Sequence, residues 1–304
     1  MSVTTTRVPD RTEPRNPMAV LTVLFALGLA ATYLLFVRTA VGQKVDNAAL
    51  IGREVVPEEF VGDAWTILDT VGIIGLAATA LAVVTFAALR GRWWQAAAAG
   101  AVIVGANLTT QVLKHGLLTR PDLTAQTIKD FNTFPSGHAT VAISVAAALL
   151  LVVSTRHRAA VAVPAMIYAT AVGIATVTAG WHRPSDAIGA WFVVGIWTAA
   201  AAAGLIAAGG TTTPVRPGGW GIAAEATLWL GAAALLVGAL LLGGAWAGLR
   251  VAVTWVEAGP IDLGRQALAH TAAAAAIGGT ALMVTGLLIA GMRRFTLEPA
   301  HPRV

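Results

Sequence analysis

Runs of about 20 apolar residues, repeated along the chain with almost no charge inside them, constrain this sequence more than any other feature. A helix needs roughly 20 such residues to cross the hydrocarbon core of a bilayer. Eight spans can be drawn, at 18–37, 64–88, 93–113, 138–155, 159–180, 186–208, 225–249 and 271–292. Charged residues make up 12% of the 304, about half the share in a soluble domain, and the mean hydropathy is +0.74. The expected fold is all-α, a polytopic transmembrane helical bundle. Many spans are built from Ala and Gly, which let helices approach closely where lipid gives no hydrophobic drive for their association.

The polar N-terminus is followed by an apolar run too long for a cleaved signal, so span one reads as a retained anchor. The net charge of +5 does not point to nucleic acid, because the basic residues lie singly or in pairs between spans and act as topology signals. Arg7, Arg11 and Arg15 precede span one, and Arg90, Arg92, Arg156, Arg158, Arg216, Arg293 and Arg294 fall at alternate connections. Asp46, Glu54, Glu58, Glu59, Asp63, Glu257 and Asp262 occupy the others. This pattern puts both termini in the cytoplasm and the segments 38–63, 114–137, 181–185 and 250–270 outside. Cysteine is absent, which excludes disulfides, thiol nucleophiles and thiolate metal sites. Trp65, Trp93 and Trp94 read as interfacial anchors. Asn107, Thr109, Thr110 and Gln111 give span three a polar end suited to hydrogen bonds between helices.

Three patches on the expected outer side carry the chemistry: "KHGLLTRP" with Lys114 and Arg120, "PSGH" from Pro135 to His138, and "GWHRPSD" with His182 and Asp186. Each alone is weak. Together they gather two cations, two imidazoles and a carboxylate on a bundle otherwise nearly free of charge, an arrangement suited to phosphate. Ser136 and Gly137 precede a long helix, where unpaired N–H groups and the positive end of the dipole attract an anion. Pro135 fixes the entry to that turn. Arg120 can grip two phosphate oxygens, and Lys114 adds a point charge. Asp186 is four residues after His182 and can fix its tautomer, leaving the other ring nitrogen free to attack. His138 is then placed to protonate the leaving oxygen.

The order Lys–Arg–Pro, Pro–Ser–Gly–His and His–x–x–x–Asp resembles the type 2 phosphatidic acid phosphatase family, the membrane lipid phosphate phosphatases, over about residues 64–208. The resemblance implies a six-helix core within 18–208, here followed by two extra spans in 209–292, with tails at 1–17 and 293–304. It also implies a metal-independent reaction without cofactor at the outer face of a bacterial plasma membrane. His182 would form a phosphohistidine, and His138 would act as acid and then help activate water. Lys114, Arg120, Ser136 and the Gly137 N–H would hold the phosphoryl oxygens. The implied substrate is a lipid phosphate or diphosphate, a polyprenyl one included.

The sequence departs from the family pattern twice. Five residues, "HGLLT", separate Lys114 from Arg120 where the family usually has six. Ala175 and Thr176 stand where the third motif usually begins Ser–Arg. Arg183 and His115 are the candidates to replace the missing cation. The degenerate motif leaves two other readings open, a member that binds phospholipid or a partner without catalysis, and a phosphotransferase to an alcohol.

Overall fold

The computed structural model describes residues 16–124, 131–154, 157–208 and 263–292, with isolated residues between 229 and 248. Lys129, Asp130, most of the seventh expected span and the segment from Val251 to Asp262 lie outside the described residues. Nine helices are described. They are α1 (Pro17–Thr32), α2 (Ala40–Ile51), α3 (Glu58–Asp69), α4 (Ile73–Leu89) and α5 (Trp93–Val112). They continue with α6 (Gly137–Val152), α7 (Arg158–Thr178), α8 (Pro184–Ala207) and α9 (Leu263–Met292). α1 and α5 each run on into a π-helical turn, Tyr33–Val37 and Leu113–Leu117, and a short 3-10 turn, Gly52–Val55, follows α2.

Among the described residues, five stretches are long and apolar enough to cross a membrane: Pro17–Val37, Trp93–Leu117, Ala160–Thr178, Pro184–Ala207 and Gln266–Met292. Gly137–Val152 is a shorter apolar helix between two of them. This is an integral membrane protein with an all-helical fold across the described residues.

Helix starts follow local chemistry. Asn16 accepts the Met18 N–H ahead of α1, with Pro17 in its first turn, where a missing N–H costs nothing. Pro184 opens α8 in the same way. Two features differ from the expectation. The span drawn at 64–88 is two helices, because the Thr70 hydroxyl turns back on the Ile67 carbonyl at 2.5 Å and Gly72 is extended. The segment 38–63 is not a loop: it carries α2, the 3-10 turn and the start of α3.

α8 is the central helix, packed against α1, α5, α6 and α9, with α7 beside it. Trp191, 1% exposed, sits in the middle of α8. Small residues set the spacing. A Cβ on Gly105 of α5 would lie 2.7 Å from the Trp197 ring of α8, and the Trp197 Nε1–H donates to Thr109 Oγ1 at 3.0 Å. Asn107 donates to Ser144 Oγ at 3.1 Å and Thr110 pairs with Thr140 at 3.0 Å, so the polar end of α5 does join helices. At the end of α6, Arg92 and the buried Arg158 donate to the carbonyls of Val152 and Leu150, cations placed where the helix dipole favours them. Trp93 and Trp94 are exposed there.

Candidate active site

The opposite end of α6 begins the site. Ser136 Oγ accepts the Ala139 N–H at 3.3 Å and the Ser136 carbonyl accepts the Thr140 N–H at 3.1 Å. These bonds cap the helix and leave the N–H groups of Gly137 and His138 unused by the capping residue, pointing off the helix start as first-turn donors do. A Cβ on Gly137 would meet only Gln111 Nε2, at 3.5 Å, so the protein leaves open the space over that backbone. Asn132 braces the approach: its Nδ2 donates to the carbonyls of Lys114, Leu118 and Phe134, and its Oδ1 accepts the Phe134 N–H.

The first turn of α8 supplies the second half. His182 Nδ1 lies 3.1 Å from Asp186 Oδ2, and both side chains are buried. The same oxygen accepts the Arg183 N–H at 2.9 Å, half of a capping box. A carboxylate on Nδ1 makes that nitrogen the donor and leaves Nε2 with its lone pair. The rings of His182 and His138 stand 6.3 Å apart between centroids, and Trp181 backs His138 at 4.9 Å. Trp65, expected only as an interfacial anchor, packs edge-on against Trp181 at 4.8 Å.

The cations divide. Lys114, in the π-helical turn after α5, lies near enough for its charge to act on His138. Arg120 is buried, with Nη2 3.2 Å from Asp46 Oδ2. Its Nη1 is buried and bonded to nothing among the described residues, which leaves a charged donor for an anion. Arg183 is buried and tied to its neighbours. Its Nε donates to Asn47 Oδ1 at 3.1 Å and its Nη1 to Thr133 Oγ1 at 3.3 Å. Burial first, and then the Arg120 charge, lower its pKa from the ordinary guanidinium value. It braces α2 against the strand of chain leading to Pro135.

Thr176, where the family motif has Arg, is fully buried. Its hydroxyl donates to the Gly173 carbonyl at 2.7 Å, and its own carbonyl accepts the N–H groups of Trp181 and His182. The position serves the turn that carries His182. His115 is exposed.

Three residues escaped the sequence reading. Asp46 accepts the Ser185 N–H at 3.1 Å and the Ser185 hydroxyl at 2.5 Å besides Arg120. Its burial pushes its pKa above the ordinary carboxylate value, against the Arg120 charge. Asn47, the next residue, holds Arg183. Arg53 lays its guanidinium on Gly180, two positions from His182: a Cβ there would be 2.6 Å from Arg53 Cζ. Helical alternation around α2 was the available signal for Asp46 and Asn47, but no motif marked them.

No curated protein matches the chain. A solved structure from Bacillus subtilis, described as the first transmembrane PAP2-type phosphatidylglycerolphosphate phosphatase, is similar at 21% identity with a TM-score of 0.46. The similarity covers 62% of this chain and 94% of that one. The family model for the PAP2 superfamily matches residues 95–208, a stretch from α5 to the end of α8 that holds Lys114, Arg120, the Pro–Ser–Gly–His turn and the His182–Asp186 pair. Over that stretch the chain is similar to the PAP2 superfamily.

Proposed function

We propose that this membrane protein hydrolyses a lipid phosphate or diphosphate, with polyprenyl phosphates among the candidates, at the extracytoplasmic face and through a phosphohistidine. The observation that carries the reading is a buried His182–Asp186 pair beside a second imidazole, with a buried Arg120 nitrogen that has no partner among the described residues. The basic residues Arg92 and Arg158 lie at the far end of α6, which supports an extracytoplasmic site under the positive-inside rule.

The chemistry follows from the arrangement. His182 Nε2 donates its lone pair to phosphorus while Asp186 holds the Nδ1 proton. The bond from phosphorus to the leaving oxygen breaks, and His138 gives that oxygen its proton. Arg120, Lys114, the Ser136 hydroxyl and the Gly137 N–H hold the equatorial oxygens as charge builds. In the second half, water attacks phosphorus, its proton passes to His138, and the P–N bond breaks to restore His182 and release inorganic phosphate. No step calls on a metal ion. A site at the head of a membrane bundle lets a headgroup enter while its tail stays in lipid.

Phosphate release from a panel of purified lipid phosphates in the presence of a chelator tests the reading. The wild-type chain releases phosphate from at least one substrate and His182→Ala does not. No release from any substrate, or equal release by the variant, contradicts it. A phosphorylated alcohol in place of free phosphate identifies a transferase.

A further inference from the structure

Asp46 belongs to α2, outside the stretch that matches the superfamily, yet its carboxylate reaches into the site and is 1% exposed. Oδ1 accepts the Ser185 N–H, and Oδ2 accepts both the Ser185 hydroxyl and Arg120 Nη2. Ser185, which Asp46 holds, adjoins Asp186, so a second buried carboxylate follows directly in the chain. If Arg120 paired with Asp186, it would compete with His182 for the carboxylate that sets the imidazole tautomer. Asp46 takes Nη2, and the buried Nη1 bonds to nothing among the described residues.

α2 is itself held in place from outside the matched stretch. Val45 and Ala49 cluster with Ala272 and Ala273 of α9. Gly52 lies so close to α9 that a Cβ would come 2.4 Å from the Gln266 carbonyl. The last described helix thus fixes α2, and α2 fixes the cation.

We propose that Asp46 is a positioning residue: it anchors Arg120 Nη2 so that Nη1 is presented to a phosphoryl oxygen and withheld from Asp186. The identity of the ligand rests on the phosphatase reading, so the test uses binding of inorganic phosphate and lets the two ideas fail separately.

The full chain, purified in detergent, is heated at increasing inorganic phosphate, and affinity is read from the rise in unfolding temperature. Wild type, Asp46→Asn, Arg120→Ala and the double variant are compared. Phosphate stabilises the wild type, Asp46→Asn binds it about tenfold more weakly, and the same change made on top of Arg120→Ala has no further effect. A purely structural Asp46 would cost the same in both backgrounds. That outcome, wild-type phosphate affinity in Asp46→Asn, or no stabilisation of the wild type overturns the proposal. Asp46→Glu covers the case in which Asp46→Asn does not fold. A loss of about threefold that vanishes with Arg120→Ala supports the proposal, and a loss equal in both backgrounds, or none, overturns it. Lipid phosphate hydrolysis by wild type and His182→Ala is measured on the same preparations. Its absence contradicts the phosphatase reading and leaves the phosphate affinities to decide on Asp46.

Discussion

The Ser136 N–H donates to the Asp186 carbonyl across 2.9 Å, tying the head of α6 to the first turn of α8. That one bond ties the proposed phosphate cradle to the helix that carries Asp186. Phe134, fully buried two residues before Ser136, reinforces it by packing over Gly189 of α8.

Gly189→Ala tests this coupling. Its new Cβ would lie 2.5 Å from the ring of the fully buried Phe134. The expected cost is about 1–3 kcal/mol of stability from overpacking, read by unfolding in detergent, together with a fall in kcat because the cradle shifts relative to His182. A variant with wild-type stability and rate would show that the two turns are not coupled.

Asp186→Asn separates orientation from attack. The amide keeps the size of the side chain but loses the charge that holds Nδ1–H, so the wrong tautomer becomes available. We expect kcat to fall by about hundredfold or more with a smaller change in KM. Stability should drop by about 1 kcal/mol, because the Arg183 N–H loses a charged cap.

His138→Ala should depend on the leaving group. General acid catalysis contributes roughly 10²–10⁴-fold, and that contribution matters only when the departing oxygen needs a proton. Formation of the phosphoenzyme from a lipid phosphate slows strongly in the variant, while the burst from p-nitrophenyl phosphate, whose phenolate leaves unprotonated, is nearly spared. Equal losses on both substrates would remove His138 from the acid role.

Gly180 has φ +74°, in the left-handed region, at the turn that delivers His182. Gly180→Ala should cost about 1–2 kcal/mol through the backbone alone, and Gly180→Asn less, since Asn tolerates that conformation better. Thermal unfolding of the two variants checks the order; an Ala variant as stable as Asn contradicts it.

The local geometry of the candidate site was legible in the sequence. A carboxylate four residues after a histidine meets it across one helical turn, and a Ser–Gly pair ahead of an apolar run marks a helix start, so the His182–Asp186 contact and the Ser136 cap follow from spacing. Arg183 was visible, but its direction was not: the partners that turn it away, Asn47 and Thr133, are distant in the chain. Asp46 was legible only as a charge outside the spans, since its value comes from Arg120 and Ser185, and no sequence pattern encodes such long-range pairs. The break at Thr70–Gly72 was hidden for another reason. The apolar run continues through it, and the Thr70 hydroxyl bond with the extended backbone of Gly72 separates α3 from α4.

The central claim is that His182 carries the phosphoryl group. Rapid quenching during turnover of a lipid substrate labelled with ³²P at its phosphate, followed by peptide mapping, tests it most directly. The account predicts an acid-labile, alkali-stable label on His182, absent from His182→Ala. Full turnover with no label at His182, or label on another residue, would contradict it.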